Sequence, residues 1–99
     1  MPMALELIKR RAAYNLDRMA VRFFAEDGPE TVMCLVTIEA LQDHCGLQGS
    51  EPGDAVTAAE DHRGLIETAA RSKYEARDNE DYGTIWIRSS DIHAGKLRR

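Results

Sequence analysis

A β-hairpin stands out in the pattern of apolar and polar positions along the chain. Two runs rich in β-branched and aromatic residues, MAVRFFAE at 19–26 and TVMCLVT at 31–37, are separated by DGPE at 27–30. Asp-Gly supplies the positive φ that a tight turn requires, and the following proline cannot donate to further strand pairing. The pattern therefore predicts two antiparallel strands joined by a turn.

The first of these strands has two different faces. Alternation gives it one apolar face, which we expect to pack on a helix, made of Val21, Phe23 and Ala25. The other face carries Arg22, Phe24 and Glu26, and we expect it to meet solvent or another subunit. Because an aromatic side chain among charged residues often marks a contact surface, Phe24 is a candidate interaction residue.

Two helices are expected after the hairpin. Thr37 is placed to cap a short helix over IEALQDHC, which ends at Gly46, and the segment 46–54 has the composition of a loop. A long helix then starts between Ser50 and Asp54 and runs to about Arg77, because apolar positions recur there with a 3.6-residue period. The inward stripe of this helix is Ala55, Ala59, His62, Ile66, Ala69 and Lys73.

The two ends of the chain complete the predicted fold. TIWIR at 84–88 alternates as a strand, with the candidate interaction residue Trp86 on the face opposite Ile85 and Ile87. The N-terminal ALELIKRRAAY fits either a helix or a short strand followed by an extended arm, and residues 93–99 are expected to form a mobile tail.

The fold class that these elements predict is α+β. We expect a single domain over residues 1–99, in which a small antiparallel sheet packs on one long helix and one short helix. The sheet would contain the hairpin, the C-terminal strand and, in the strand alternative for the N-terminal segment, a short N-terminal strand.

Length and composition favour a soluble, cytoplasmic protein. The chain has 99 residues, 43% of them hydrophobic and 30% charged, and no apolar run approaches the ~18 residues of a membrane span. The N-terminal residues do not resemble a signal peptide. We therefore expect Cys34 and Cys45 to be reduced thiols rather than a disulfide.

Charge is unevenly distributed. The net charge of −4 argues against a general nucleic-acid-binding protein, although residues 1–22 carry five basic groups and the chain ends in KLRR. A basic front and tail could clamp an anionic partner, or could neutralise the acidic long helix, which is the interpretation we favour. The candidate nucleic-acid contacts are Lys9, Arg10, Arg11, Arg98 and Arg99.

Motifs for catalysis, metal binding or cofactor binding are not found in the sequence. His44 and Cys45 are adjacent rather than at zinc-ligand spacing, and GLQGSEPG lacks the lysine of a phosphate loop. Ser89 and Ser90 do not lie in a nucleophile setting. We therefore expect neither an enzyme nor a cofactor-dependent protein.

His62 is the strongest single candidate, because it falls on the inward stripe of a charged helix, beside Arg63 and one turn from Ala58, Ala59 and Ile66. The structural interpretation is a packed histidine whose ring nitrogen bonds a strand carbonyl or a carboxylate. The functional interpretation is a ligand or partner contact in a groove beside the sheet, formed by His62, Arg63 and Glu67. We favour the structural interpretation.

Three segments carry a family resemblance: YNLDRMAVRFFAEDG, VMCLVTIEAL and EDHRGLIETAARSKYE…DYGTIWI. They resemble the small bacterial YrdB-like proteins, a domain-of-unknown-function family, over about residues 3–92. The matching positions are Tyr14, Asn15, Val21, Phe23, Asp27, Gly28, Ala40, Leu41, His62, Arg63, Ile66, Glu67, Ala69 and Gly83. The resemblance implies no activity, substrate or cofactor, and members are at times labelled transcriptional regulators.

These observations predict a small non-catalytic protein that acts through protein contacts. Phe24 and Trp86, on the outer faces of their strands, indicate a homodimer with a further, unknown protein partner. The alternative is a nucleic-acid-associated transcriptional regulator that uses the basic N-terminal arm and C-terminal tail.

Overall fold

The computed structural model describes residues 5–76 and 84–92. The predicted helix end in DNEDYG at 78–83 and the predicted mobile tail at 93–99 lie outside the described residues. Within them, the strands are β1 (Glu6–Leu7), β2 (Ala13–Asn15), β3 (Ala20–Asp27), β4 (Glu30–Thr37) and β5 (Thr84–Ile87). The helices are α1 (Ile38–His44), α2 (Pro52–Asp61) and α3 (Arg63–Glu75), followed by a 3-10 turn at Ser89–Asp91.

The α+β prediction is confirmed, with β3 and β4 forming the predicted hairpin at the centre of the sheet. Their register joins Asp27 to Glu30, so only two residues form the turn. Gly28 has a φ of 60° at the first turn position, the pattern of a type II′ turn that suits the twist of a hairpin. Both β1 and β2 pair antiparallel with β3, which confirms the strand alternative for the described part of the N-terminal segment.

The prediction of a wholly antiparallel sheet is wrong at its last strand. β5 pairs parallel with β4, with Leu35 opposite Trp86, so that the sheet is mixed and mostly antiparallel. Parallel neighbours require a crossover connection. The chain between β4 and β5 contains α1, α2 and α3, which return it to the end of the sheet at which β4 begins.

The prediction of one long helix is also wrong, because the chain leaves helical geometry at His62. This residue has φ −121° and ψ 33°, and it separates α2 from α3. A straight helix over residues 52–75 would be about 36 Å long, whereas an eight-residue strand spans only about 27 Å. Two shorter helices cover a sheet of that size, α2 reaching β2 and β3 while α3 reaches β1 and β5.

The core lies between the helices and the inner face of the sheet. Val21, Phe23 and Ala25 are buried there as predicted, together with Ile85 and Ile87. From the helices come, among others, Leu41, Ala55, Ile66 and Ala70. The prediction that Thr37 caps the short helix is confirmed, since its hydroxyl accepts a hydrogen bond from the Ala40 amide at 3.1 Å.

None of the helices in residues 5–76 and 84–92 combines the length and apolar character needed to cross a membrane.

Candidate functional site

His62 caps the end of α2 instead of lying on a continuous stripe. Its backbone amide bonds the Ala59 carbonyl at 3.1 Å, three residues back, so the Ala58 carbonyl loses its ordinary helical donor. The His62 ring supplies the replacement, with Nδ1 lying 3.0 Å from Ala58 O. Because a carbonyl only accepts, Nδ1 carries the proton. The structural interpretation had placed this bond on a strand carbonyl or a carboxylate, and the acceptor is instead a helix carbonyl.

Arg63 binds the backbone of the N-terminal segment. Its guanidinium pairs with Glu60 at 2.9 Å and donates to the carbonyl oxygens of Ile8 and Arg10 at 2.5 and 3.3 Å. It also lies over the Phe23 ring, 5.1 Å from the centroid, within cation–π range. The side chain is only 27% exposed. Arg63 therefore joins the helices to the sheet on both polar and aromatic contacts.

Three further charged side chains on the same side of α2 and α3 make similar contacts. Glu67 accepts from the Leu7 amide at 2.8 Å, and Arg71 donates to the Leu5 carbonyl at 2.7 Å. Glu60 accepts from the Ala12 amide at 2.5 Å. We call this set the helix ladder, consisting of Glu60, Arg63, Glu67 and Arg71. Its alternating acceptors and donors bond backbone groups between Leu5 and Ala12, and they thereby cover the edge of β1, which would otherwise be a template for aggregation.

The other side of the sheet, which we call the outer face, carries Phe24 and Trp86. Strand register arranges its residues in rows that run across the strands. The first row, nearest the hairpin turn, contains Glu6, Glu26 and Thr31. The second contains Phe24, Met33 and Thr84, with Ile8 bonded to Phe24 O through its amide. The third contains Ala13, Arg22, Leu35 and Trp86.

Leu35 forms a second apolar centre on this outer face. It has no exposed surface, yet it is not part of the core cluster between sheet and helices. Its register neighbours are Arg22 on β3 and Trp86 on β5, and both are half-buried. The outer face is therefore more apolar than the alternation of β3 alone indicates.

Arginines accompany both aromatic side chains of the outer face. Arg22 lies 4.9 Å from the Phe24 ring centroid. Arg18 and Arg88 lie 5.9 and 5.5 Å from the Trp86 ring centroid. Aromatic and arginine side chains are the residue types enriched at protein interfaces. A cavity of about 260 Å³, lined by Ile8, Arg10, Phe24 and Thr31, opens beside Phe24.

A serine, a histidine and an aspartate meet at the 3-10 turn but do not form a nucleophilic triad. Ser89 Oγ donates to Asp43 at 2.5 Å, and His44 Nε2 lies 3.0 Å from the Ser89 carbonyl oxygen. Nε2 also lies 3.3 Å from Ser89 Oγ, and a ring that directs its Nε2 proton to the carbonyl oxygen leaves the Ser89 hydroxyl to donate to Asp43. These bonds fasten the 3-10 turn to the end of α1.

Both cysteines are free, as predicted, and both are buried. Burial raises the pKa of the Cys34 thiol to about 12. Burial likewise raises the pKa of Cys45 above its ordinary value. Neither thiol has the lowered pKa of a reactive nucleophile.

Three of the five basic candidates for nucleic-acid contact lie within the described residues. Lys9, Arg10 and Arg11 are exposed on the segment between β1 and β2. Arg98 and Arg99 lie outside the described residues.

Several contact residues escaped the sequence analysis. Glu60 and Arg71 could have been found from their spacing, because Glu60 is three residues from Arg63 and Arg71 is four from Glu67, which places them on one side of the predicted long helix. Nothing local showed that this side meets a strand edge. Arg22 and Arg88 stand two positions from Phe24 and Trp86, which places each pair on one strand face. The stacking of Arg18 on Trp86 joins residues far apart in sequence and left no local signal.

Comparison with known proteins gives a family and a fold. The family model described as "Protein of unknown function (DUF1488)" matches residues 8–87. A crystal structure of a protein of unknown function from the same family, from Shewanella loihica PV-4, superimposes with a TM-score of 0.78 at 17% identity. The match covers 88% of this chain and 94% of that one, and at this identity it shows the fold.

The comparison with curated proteins gave no match. The resemblance described above implied a family of unknown function, and this coarser statement is confirmed, whereas the YrdB-like identification stays a prediction. With most of its length matched by the family model, the chain belongs to the DUF1488 family.

Proposed function

We propose that this protein is a small, non-catalytic, cytoplasmic interaction module that forms a homodimer through the outer face of its sheet. The observation that carries the proposal is the pair of apolar rows around Phe24, Met33, Leu35 and Trp86, which lie on the side opposite the helix-facing core. The two free thiols are consistent with a reducing compartment. The proposal includes the narrower YrdB-like identity and a regulatory role for the interaction module.

The non-catalytic part of the proposal rests on how the polar candidates are used. Arg63 and Glu67 hold the backbone of the N-terminal segment, and the His62 ring caps α2. Ser89 donates to an aspartate instead of a general base. Each of these side chains has a structural partner, which supports a role in folding rather than in chemistry.

The proposal is tested by measuring the mass of the protein in solution. Sedimentation velocity and light scattering from tens to hundreds of micromolar should show a concentration-dependent dimer. A double variant, Phe24→Thr with Trp86→Thr, keeps residues suited to strands while removing both aromatic contacts. We expect it to be monomeric over the same range.

The matched control is Val56→Thr, which removes apolar surface on the helix side, where Val56 packs against the core. This variant should dimerise like the unmodified protein, with circular dichroism showing that each variant is folded. A monomeric wild type would overturn the homodimer, and a dimeric double variant would show that another surface makes the contact.

A second candidate function is nucleic-acid binding by a transcriptional regulator. The observation in its favour is the exposure of three consecutive basic residues, Lys9, Arg10 and Arg11. Against it stands the net charge of −4, which opposes approach to phosphates.

A further inference from the structure

We infer that two copies pack outer face to outer face with their strands reversed, so that the acidic end of each meets the arginine end of the other. This inference rests on the proposed homodimer and specifies its orientation. Its first support is the separation of charge on the outer face. Glu6 and Glu26 occupy the row nearest the hairpin turn. Arg22 lies two rows away, and Arg18 follows in the turn between β2 and β3.

Symmetry limits how two such faces can meet. A homodimer almost always has a two-fold axis, which for stacked faces lies in the plane between them. An axis along the strands would place the acidic row over the acidic row of the second copy. An axis across the strands reverses the strand direction and brings the acidic row to the end of the partner's face where Arg18 and Arg22 lie. Like charges juxtaposed in an interface are unfavourable, so the second arrangement is favoured.

The same reversal superimposes the two apolar rows. The row of Phe24 and Met33 in one copy falls over the row of Leu35 and Trp86 in the other, because these rows are adjacent to the centre of the face. The remaining exposed surface of Phe24, Met33 and Trp86 is then buried, while Glu6, Glu26 and Arg18 lie at the rim. That is the usual division of a protein interface.

The turn between β2 and β3 supplies a second, independent match. Leu16 and Met19 in this turn are 77% and 65% exposed, and they are the two exposed large apolar side chains within residues 5–76 and 84–92. Met19 also has a φ of 52°, a left-handed conformation that is unfavourable for an L-residue and for which folding alone would favour glycine or asparagine. Reversed packing brings this turn toward the partner's cavity beside Ile8 and Phe24.

The size of the outer face sets the strength to expect. A fourth row, formed by Asn15, Ala20 and Thr37, follows the three described above. Because β1 and β2 lie along the same side of β3, the sheet is four strands wide, and its four rows cover roughly 500 Å² per protomer at ordinary strand spacings. The total buried area would then lie at the low end for specific interfaces, so we expect a dissociation constant in the micromolar range. Because charge selects the orientation, this constant should rise with ionic strength.

A charge-reversal experiment tests the orientation. One variant carries Glu6→Arg and Glu26→Arg, and the other carries Arg18→Glu and Arg22→Glu. Each variant alone places like charges at both ends of the reversed dimer, and we expect its self-association to weaken at least tenfold. Mixing the two restores attraction at both ends, and we expect a heterodimer of about wild-type affinity. Analytical ultracentrifugation with a fluorescent label on one variant measures both quantities.

The outcomes separate the orientation from the dimer itself. Restored association in the mixture supports the inference, and it also shows that both variants are folded, since an unfolded chain cannot rescue its partner. If both variants self-associate like the wild type, or if mixing restores nothing, the orientation is overturned while the proposed homodimer stands. A wild type that is monomeric at hundreds of micromolar overturns the homodimer and this inference with it.

Discussion

His62 is of a residue type often found in active sites, but here its ring completes a backbone hydrogen bond. At the helix break the Ala58 carbonyl loses its amide donor, and the His62 ring replaces it at 3.0 Å. An unsatisfied carbonyl would cost about 1–3 kcal/mol, so a side chain with a donor is favoured at this position. The predicted partner of the His62 ring was a strand carbonyl or a carboxylate, whereas the observed partner is a helix carbonyl that only the break leaves without a donor.

Cys34 provides a pH-dependent prediction at the residue scale. Burial raises its pKa from 9.0 to about 12, so the folded protein retains a thiol proton that the unfolded chain loses above pH 9. The favourable contribution is complete below pH 9 and decreases as pH rises toward 12. Between pH 8 and pH 10 we expect the free energy of unfolding to fall by about 1 kcal/mol from this group.

Urea denaturation of the wild type and of Cys34→Ala at both pH values isolates this effect. Other titrating groups contribute alike to the two proteins, so the difference between their pH dependences reports Cys34. Identical pH dependence in both proteins would contradict the prediction.

At the scale of elements, the helix ladder explains how a strand of two residues is retained at the edge of the sheet. β1 has only two register pairs with β3, yet its free side bonds Glu67 and Arg71, while Arg63 bonds the following residues. The charges of α2 and α3 could be recognised in the sequence as a solvated face. Their contact with the N-terminal segment requires residues 48 to 66 positions apart to meet, which no periodicity reports.

The ladder predicts that Arg63→Ala destabilises the protein much more than loss of an exposed arginine. The variant removes charge-assisted bonds to Ile8 and Arg10, leaves Glu60 without its cation and removes the contact with Phe23. Because Arg63 is partly exposed, we expect a loss of about 1–3 kcal/mol. Urea denaturation followed by circular dichroism measures it.

Arg11→Ala is the matched control, since Arg11 is exposed on the segment that the ladder holds. Its effect should stay within about 0.5 kcal/mol, as for other surface substitutions. Equal effects of the two substitutions would show that the ladder contributes nothing to stability.

At the scale of the whole molecule, the two sides of the sheet differ in how their side chains pack. The inner face joins the helices in one hydrophobic core, whereas the outer face buries Leu35 among its own neighbours and groups arginines around aromatic rings. A net charge of −4 coexists with this local excess of arginine. Interaction through one face is therefore compatible with an acidic protein.

The whole-molecule charge also leads us to expect weak binding to nucleic acid. Non-specific binders have dissociation constants of about 1–100 μM at physiological salt, and we expect this protein to bind no tighter than about 100 μM. Fluorescence anisotropy with labelled single-stranded and duplex oligonucleotides measures the affinity at two salt concentrations.

The matched variant replaces Lys9, Arg10 and Arg11 with alanine. Micromolar binding that weakens steeply with salt and is lost in this variant would establish the second candidate function instead. Unchanged weak binding in both proteins would agree with the interaction module.

The sequence alone determined the features that depend on neighbouring residues. Alternation placed Val21, Phe23 and Ala25 on the buried side of β3, Asp-Gly located the hairpin turn, and Thr37 marked the start of α1. Each of these follows from backbone preferences or from the two-residue period of a strand, which act over a few positions.

Only the tertiary structure decided the features that depend on distant contacts. It made β5 parallel to β4, divided the long helix at His62 and brought Arg18 to Trp86. It also gave the charges of α2 and α3 a strand edge to bind. These outcomes depend on how long each element is relative to its neighbours and on which backbone groups remain without partners once the elements pack together, and neither quantity exists before the chain folds.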